Sequence, residues 1–158
     1  MPGPEIEAEH VVPAPPEAVF DYLARLDHHW QLMDDSVEVA ELAGEEDSGL
    51  DRAVVRMHGP LGIGRIAHTQ VLAAERPSML RGRAGIGRRT DGERITEGEV
   101  SWTLAPEGEG TRVRLAARVK HAGIGDRLIL ALGGRAWLRI RLRDALERLA
   151  RMFAADPR

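Results

Sequence analysis

Three ionisable side chains stand among apolar neighbours, which makes them the groups of this chain best placed to do chemistry. Arg135 falls inside the apolar sector of a long helical pattern, beside Gly133 and Gly134. A guanidinium aimed inward there would hold a carboxylate or enolate oxygen through two parallel hydrogen bonds. In the plainer alternative the glycine pair turns the second half of the helix and Arg135 snorkels to solvent, avoiding the cost of an unpaired buried charge. His10 and His68 each share a strand face with apolar residues, Ala8 and Val12 for the first, Ile66 and Leu72 for the second. Either imidazole is equipped to polarise a carbonyl or move a proton near neutral pH. A histidine satisfied within a core is nevertheless the commoner case. The phase of the strand carrying His68 stays open, because Val71 belongs to its other face.

Other chemistries find little support. Cysteine is absent, which removes disulfides, cysteine-ligated zinc and a cysteine nucleophile. The serines (Ser36, Ser48, Ser78, Ser101) are scattered, and none sits in a Gly-x-Ser-x-Gly elbow. His28 and His29 precede a polar stretch without the carboxylate spacing of a zinc helix, so they read as a solvated loop, and no metal or cofactor is expected. Gly-Ile-Gly occurs at 62–64, 85–87 and 123–125, never as a phosphate-binding Gly-x-Gly-x-x-Gly between strand and helix. Hairpin ends are the natural use of such glycines.

The elements that must position these residues follow from periodicity. From Asp126 to Phe153, winding at about 100° per residue gathers Leu128, Ala131, Leu132, Leu138, Leu142, Ala145, Leu146, Leu149, Met152 and Phe153 on one face. Gly133 and Gly134 interrupt this pattern and predict a kink or a close backbone approach. Trp137 and Ile140 lie off the main face, free to cover another protein surface, so a homodimer stays open. Glu5–Val12 alternates as a half-buried strand, and Glu17–Leu26 reads as a short helix opened by proline. Residues 27–35 form a second short helix or a loop. Six further strand candidates follow, at Val37–Ala43, Asp51–His58, Arg65–Ala74, Met79–Ile86, Glu93–Leu104 and Arg112–Lys120. Their gaps are too short for crossover helices, so the strands form antiparallel hairpins.

Charge patterning sets the register. Glu97 and Glu99 share a strand face, as do Arg112, Arg114 and Arg118, and Arg81 and Arg83 continue the alternation. Glu5, Glu7 and Glu9 match the free arginine edge of the last strand, which closes the sheet with the first strand beside the last. The chain of 158 residues fits one domain, 1–158, and its net charge of −3 gives no global pull toward nucleic acid or anionic membrane. No apolar run reaches the length of a membrane span, and residues 1–16 lack a signal-peptide pattern, so the expected location is cytoplasmic.

Two stretches carry a family resemblance. Val12-Pro13-Ala14-Pro15-Pro16-Glu17-Ala18-Val19-Phe20 resembles the opening motif of the START-like (SRPBCC) superfamily, which includes polyketide cyclases/dehydrases and lipid-transfer proteins. Gly108-Glu109-Gly110-Thr111-Arg112-Val113-Arg114 resembles the penultimate hairpin of that group, and the helix from Asp126 resembles its closing helix. The resemblance implies an α+β helix-grip fold: a seven-stranded antiparallel sheet wrapped around a long C-terminal helix, with two short helices after the first strand and a hydrophobic cavity between sheet and helix. Expected on the cavity wall are Ile66, Leu80, Ala84, Val100, Trp102, Leu115 and Ala117 from the sheet, with Leu128 and Leu132 from the helix.

Fold alone does not choose among the activities of such a family. One reading is a carrier that buries a lipid- or polyketide-like small molecule. A second is a polyketide cyclase or dehydratase using Arg135, His10 or His68. A third is a non-catalytic interaction module with a collapsed cavity.

Overall fold

The computed structural model describes residues 5–32, 37–43, 52–58, 64–87 and 96–155. The gaps expected between strands at 44–49 and, apart from Gly64, at 59–64, residues 33–35 of the expected short helix or loop, Asp51, and residues 88–95 with the expected start of a strand at Glu93 lie outside the described residues. β1 (Glu5–Val12) leads into α1 (Pro16–Leu23), α2 (Leu26–His29) and a 3₁₀ turn (Trp30–Leu32). Six strands follow: β2 (Val37–Ala43), β3 (Arg52–His58), β4 (Gly64–Glu75), β5 (Met79–Gly87), β6 (Thr96–Glu107) and β7 (Gly110–His121). The chain closes with α3 (Ile124–Ile129), a π turn (Leu130–Gly134) and α4 (Arg135–Ala154).

All seven strands join one antiparallel sheet in the order β1-β7-β6-β5-β4-β3-β2, so the first strand does pair with the last. The sheet curls around the C-terminal helix as a helix-grip fold. Its convex face carries the charge pattern that set the register. Glu99 stands opposite both Arg83 and Arg118, and Arg118 stands opposite Glu5. Arg118 bonds Glu5 at 2.9 Å, Arg112 bonds Glu107 at 2.8 Å, and Arg114 reaches both Glu5 and Glu7. The hydrogen bond from Arg114, aided by Arg118, holds the Glu5 carboxyl below its ordinary pKa.

The concave face holds two apolar clusters. In the larger, Leu142, Ala145, Leu146 and Leu149 of α4 pack on Ile6 and Val12 of β1, Leu80, Trp102, Leu104, Val113 and Leu115, with α1 supplying Val19, Phe20 and Leu23. The smaller joins Leu26 to Ala53, Val55 and Ala67, at the β2 side of the sheet.

Two local corrections have clear physical causes. The single helix expected at 17–26 ends at Leu23, and His28 and His29 are half-buried rather than solvated. The terminal carbonyls of α1 need donors. His28 Nδ1–H donates to Tyr22 O at 2.8 Å and His29 Nε2–H to Leu23 O at 2.6 Å, while the rings rest on Tyr22 and Trp102. The long helix is also broken. Leu132 (φ −95°, ψ 23°) and Gly133 (φ +115°) leave helical geometry, and a side chain at Gly134 would come within 2.7 Å of Ile129 O. Both predicted uses of the glycine pair, the kink and the close approach, occur.

Candidate functional site

Neighbouring residues in the register share a face, so the concave face can be followed row by row away from α4. Leu104, Val113 and His10 form one row, and Leu80, Trp102, Leu115 and Ala8 the next. Beyond them come Gly82, Val100, Ala117 and Ile6, then Ala84, Gly98 and Val119. The first two rows are almost wholly buried beneath α1 and α4. In the outer two, Ala84, Val100, Ala117 and Val119 remain half-buried. Their side chains are short, so the floor there is recessed and apolar. Gly82 and Gly98 deepen it, although their primary cause lies in the backbone: a Cβ at either position would crowd the carbonyl of Gln70 or Arg118 at 2.9–3.0 Å, beside bulges in β4 and β6.

The far end of this floor is closed by a polar tie that sequence reasoning missed. Arg65 of β4 donates to Asp126 Oδ1 at 2.9 Å, and Thr96 of β6 donates to Asp126 Oδ2 at 2.5 Å. The Arg65 and Asp126 side chains are only 13% and 15% exposed. Asp126 sits in the first turn of α3, where a carboxylate also meets the favourable end of the helix dipole. The strand position of Arg65 and the helical position of Asp126 were legible separately. Their separation by 61 residues left no local signal that they meet.

The expected site residues divide among three places. Leu80, Trp102 and Leu115 are packed core, whereas Ala84, Val100 and Ala117 belong to the half-buried floor. His10 does face inward, half-buried opposite Val113, two rows away from that floor. Ile66 and His68 must be moved to the convex face, because the buried Ala53, Val55 and Ala67 fix the inward phase of β3 and β4. Leu26 approaches closely here, so small side chains mark the inside and the larger Ile66 was a misleading cue. His68 stands opposite Val54 and Gly85 in a convex groove of about 420 Å³, also lined by Arg52, Arg83 and Glu97. Its Nε2 is buried without a hydrogen-bond partner among the described residues.

On the helix, Leu128 and Leu132 are exposed rather than turned to the sheet, and Arg135 is exposed as well. The kink at Gly133 resets the helical phase, which is the plainer of the two fates expected for Arg135. No group of three or more metal-ligating side chains gathers among the described residues, and no helix among them is long and apolar enough to cross a membrane.

Solved structures share this architecture. A protein of Thermus thermophilus is 24% identical with a TM-score of 0.63, over 96% of this chain and 98% of its own. A protein of Rhodobacter sphaeroides is 23% identical with a TM-score of 0.61 over the whole of both chains. A START superfamily protein from Mycobacterium smegmatis is 14% identical with a TM-score of 0.63, over 94% of this chain and 97% of its own. At these identities the likeness speaks for the fold. No curated protein matches the chain. The family model described as polyketide cyclase / dehydrase and lipid transport matches residues 4–154, nearly the full length of the helix-grip unit. The chain belongs to that START-like family.

Proposed function

We propose that this chain acts as one ligand-binding domain that holds a hydrophobic or amphipathic small molecule, lipid- or polyketide-like, on the concave face between the sheet and the C-terminal helical segment. The observation that carries this reading is the half-buried apolar floor of Ala84, Val100, Ala117 and Val119, bracketed by packed core and by the Arg65–Asp126–Thr96 tie. A helix-grip core with nothing to bind would be expected to fill such a floor with larger side chains. Apolar ligand surface laid there gains roughly 25 cal/mol per Å² removed from water. The polar tie gives an amphipathic ligand one end to orient against. Lipid transport in the family description supports the same class of ligand.

A second reading, cyclase or dehydratase, draws on the same tie. Arg65 has donors beyond those used by Asp126 and Gly64, and a guanidinium at the end of an apolar floor suits a ketide oxygen.

Native against denaturing mass spectrometry of the freshly purified protein tests binding. A discrete extra mass lost on unfolding, and reduced in Ala117→Leu, is the expected result. Wild-type protein that stays apo and takes up neither palmitate nor an aromatic polyketide would move the assignment to an interaction module. Turnover of such a polyketide, abolished in Arg65→Gln while binding persists, would establish the enzyme instead of the carrier.

A further inference from the structure

Among the described residues, the outer side of α3 and of the π turn after it is unlike any other part of the helical layer. Ile124, Leu128 and Leu132, one per turn, are 86%, 58% and 78% exposed, and α3 contributes no buried residue. Isolated exposed apolar residues are ordinary, but three large ones in succession, two on α3 and Leu132 in the π turn that follows it, are not. The row is held outward. Asp126 lies about 160° around the helix from Leu128, and its bonds to Arg65 and Thr96 turn that opposite side to the sheet. The half-buried Ile129 and Leu130 share the sheet side. Rotating the row inward would break the tie.

The charge of the same segment selects what covers it. From Ile124 to Arg143 there are five arginines and a single acid, in a chain whose net charge is −3. That acid, Asp126, is already paired with Arg65. Arg127, Arg135, Arg139 and Arg143 are exposed. The surface is therefore an apolar row within a locally basic stretch of an acidic protein. A second copy fits it poorly, since a two-fold contact would set these arginines against each other with no free acid in the segment to pair them. A nucleic acid would satisfy the arginines but give the leucines no apolar layer to enter. An anionic bilayer answers both, with lipid phosphates for the guanidinium groups and the acyl boundary for the row.

We infer that α3 and the π turn after it dock this protein on anionic lipid surfaces, with Ile124, Leu128 and Leu132 entering the headgroup region and the neighbouring arginines meeting the phosphates. The inference stands on α3 and the start of α4, and holds whether or not a ligand occupies the concave face.

Co-sedimentation of the full chain with vesicles tests it, comparing pure phosphatidylcholine with an equal mixture of phosphatidylcholine and phosphatidylglycerol. The wild type is expected to bind the mixed vesicles, and to bind less as salt is added. Leu128→Gln with Leu132→Gln should weaken binding at least about tenfold, and Arg139→Gln about fivefold. These side chains are exposed, so an unchanged circular dichroism spectrum is expected and confirms folding. Binding no greater to mixed vesicles than to phosphatidylcholine alone would overturn the inference, as would a folded double variant that sediments like wild type. Light scattering that shows a dimer dissolved by the double variant would overturn it too, assigning the row to a second copy. Ligand uptake is read separately by mass spectrometry, so loss of one result leaves the other standing.

Discussion

Leu132 and Leu146 are the same residue type on the same closing segment, and an unbroken helix would put them within about 40° of one another. Leu146 is completely buried, whereas Leu132 is 78% exposed. The apolar period that both obey is real, but it is read out through two helices of different phase. After the π turn, α4 buries Leu142, Ala145, Leu146, Leu149 and Ala150 against the sheet. Before it, α3 is held at the sheet by a charged contact while Leu128, and Leu132 in the π turn, face outward. A hydrophobic stripe thus predicts burial only as far as the backbone stays helical. One glycine at φ +115° is enough to separate a half that builds the core from a half left available for binding.

The largest expected effect tests the two leucines directly. Leu146→Ala should cost about 2–5 kcal/mol of unfolding free energy, while Leu132→Ala should fall within about 0.5 kcal/mol of wild type, both read from urea unfolding. Equal costs would break the comparison, because Leu132 would then be core.

Asp126→Ala comes next. Removing one partner of a nearly buried pair costs about 3 kcal/mol, the lower end of the range for full burial, because some solvent reaches the carboxylate. Hydrogen exchange should show faster amide exchange in α3 and unchanged protection in α4. Loss of protection in both helices would mean that the two halves are one cooperative unit. The smallest effect belongs to the hinge. Gly133→Ala should lose about 1–2 kcal/mol, since only glycine adopts that backbone geometry without a steric penalty. A variant as stable as wild type would show that the segment can also run straight.

Sheet order, strand count and the charged convex face were all legible, because each rests on local alternation and on charges that suit only one register. The inward phase of β3 and β4 was not. Ala53 and Ala67 are small because Leu26 approaches them from a distant part of the chain, and a bulge between Val71 and Ala73 shifts the alternation. His28 and His29 looked like loop residues because nothing in their immediate neighbours reveals that two helix-end carbonyls lie within reach. Ala84, Val100 and Ala117 alternate along their strands with Arg83, Glu99 and Arg118 of the convex face, so their side of the sheet follows from local period. The polar boundary of the candidate site does not, since Arg65, Thr96 and Asp126 come from three separate elements.

What the amino-acid order determined by itself was the secondary structure, the pairing of neighbouring strands and the presence of a break at Gly133–Gly134. These follow from side-chain period, turn residues and the conformational freedom of glycine, all of which act over a few residues. The tertiary structure decided how far the helix turns at that break, which apolar residues are left outside, and where the apolar floor ends. Those outcomes depend on contacts such as Asp126 with Arg65 and Leu26 with Ala67, whose energies exist only once distant parts of the chain have been brought together.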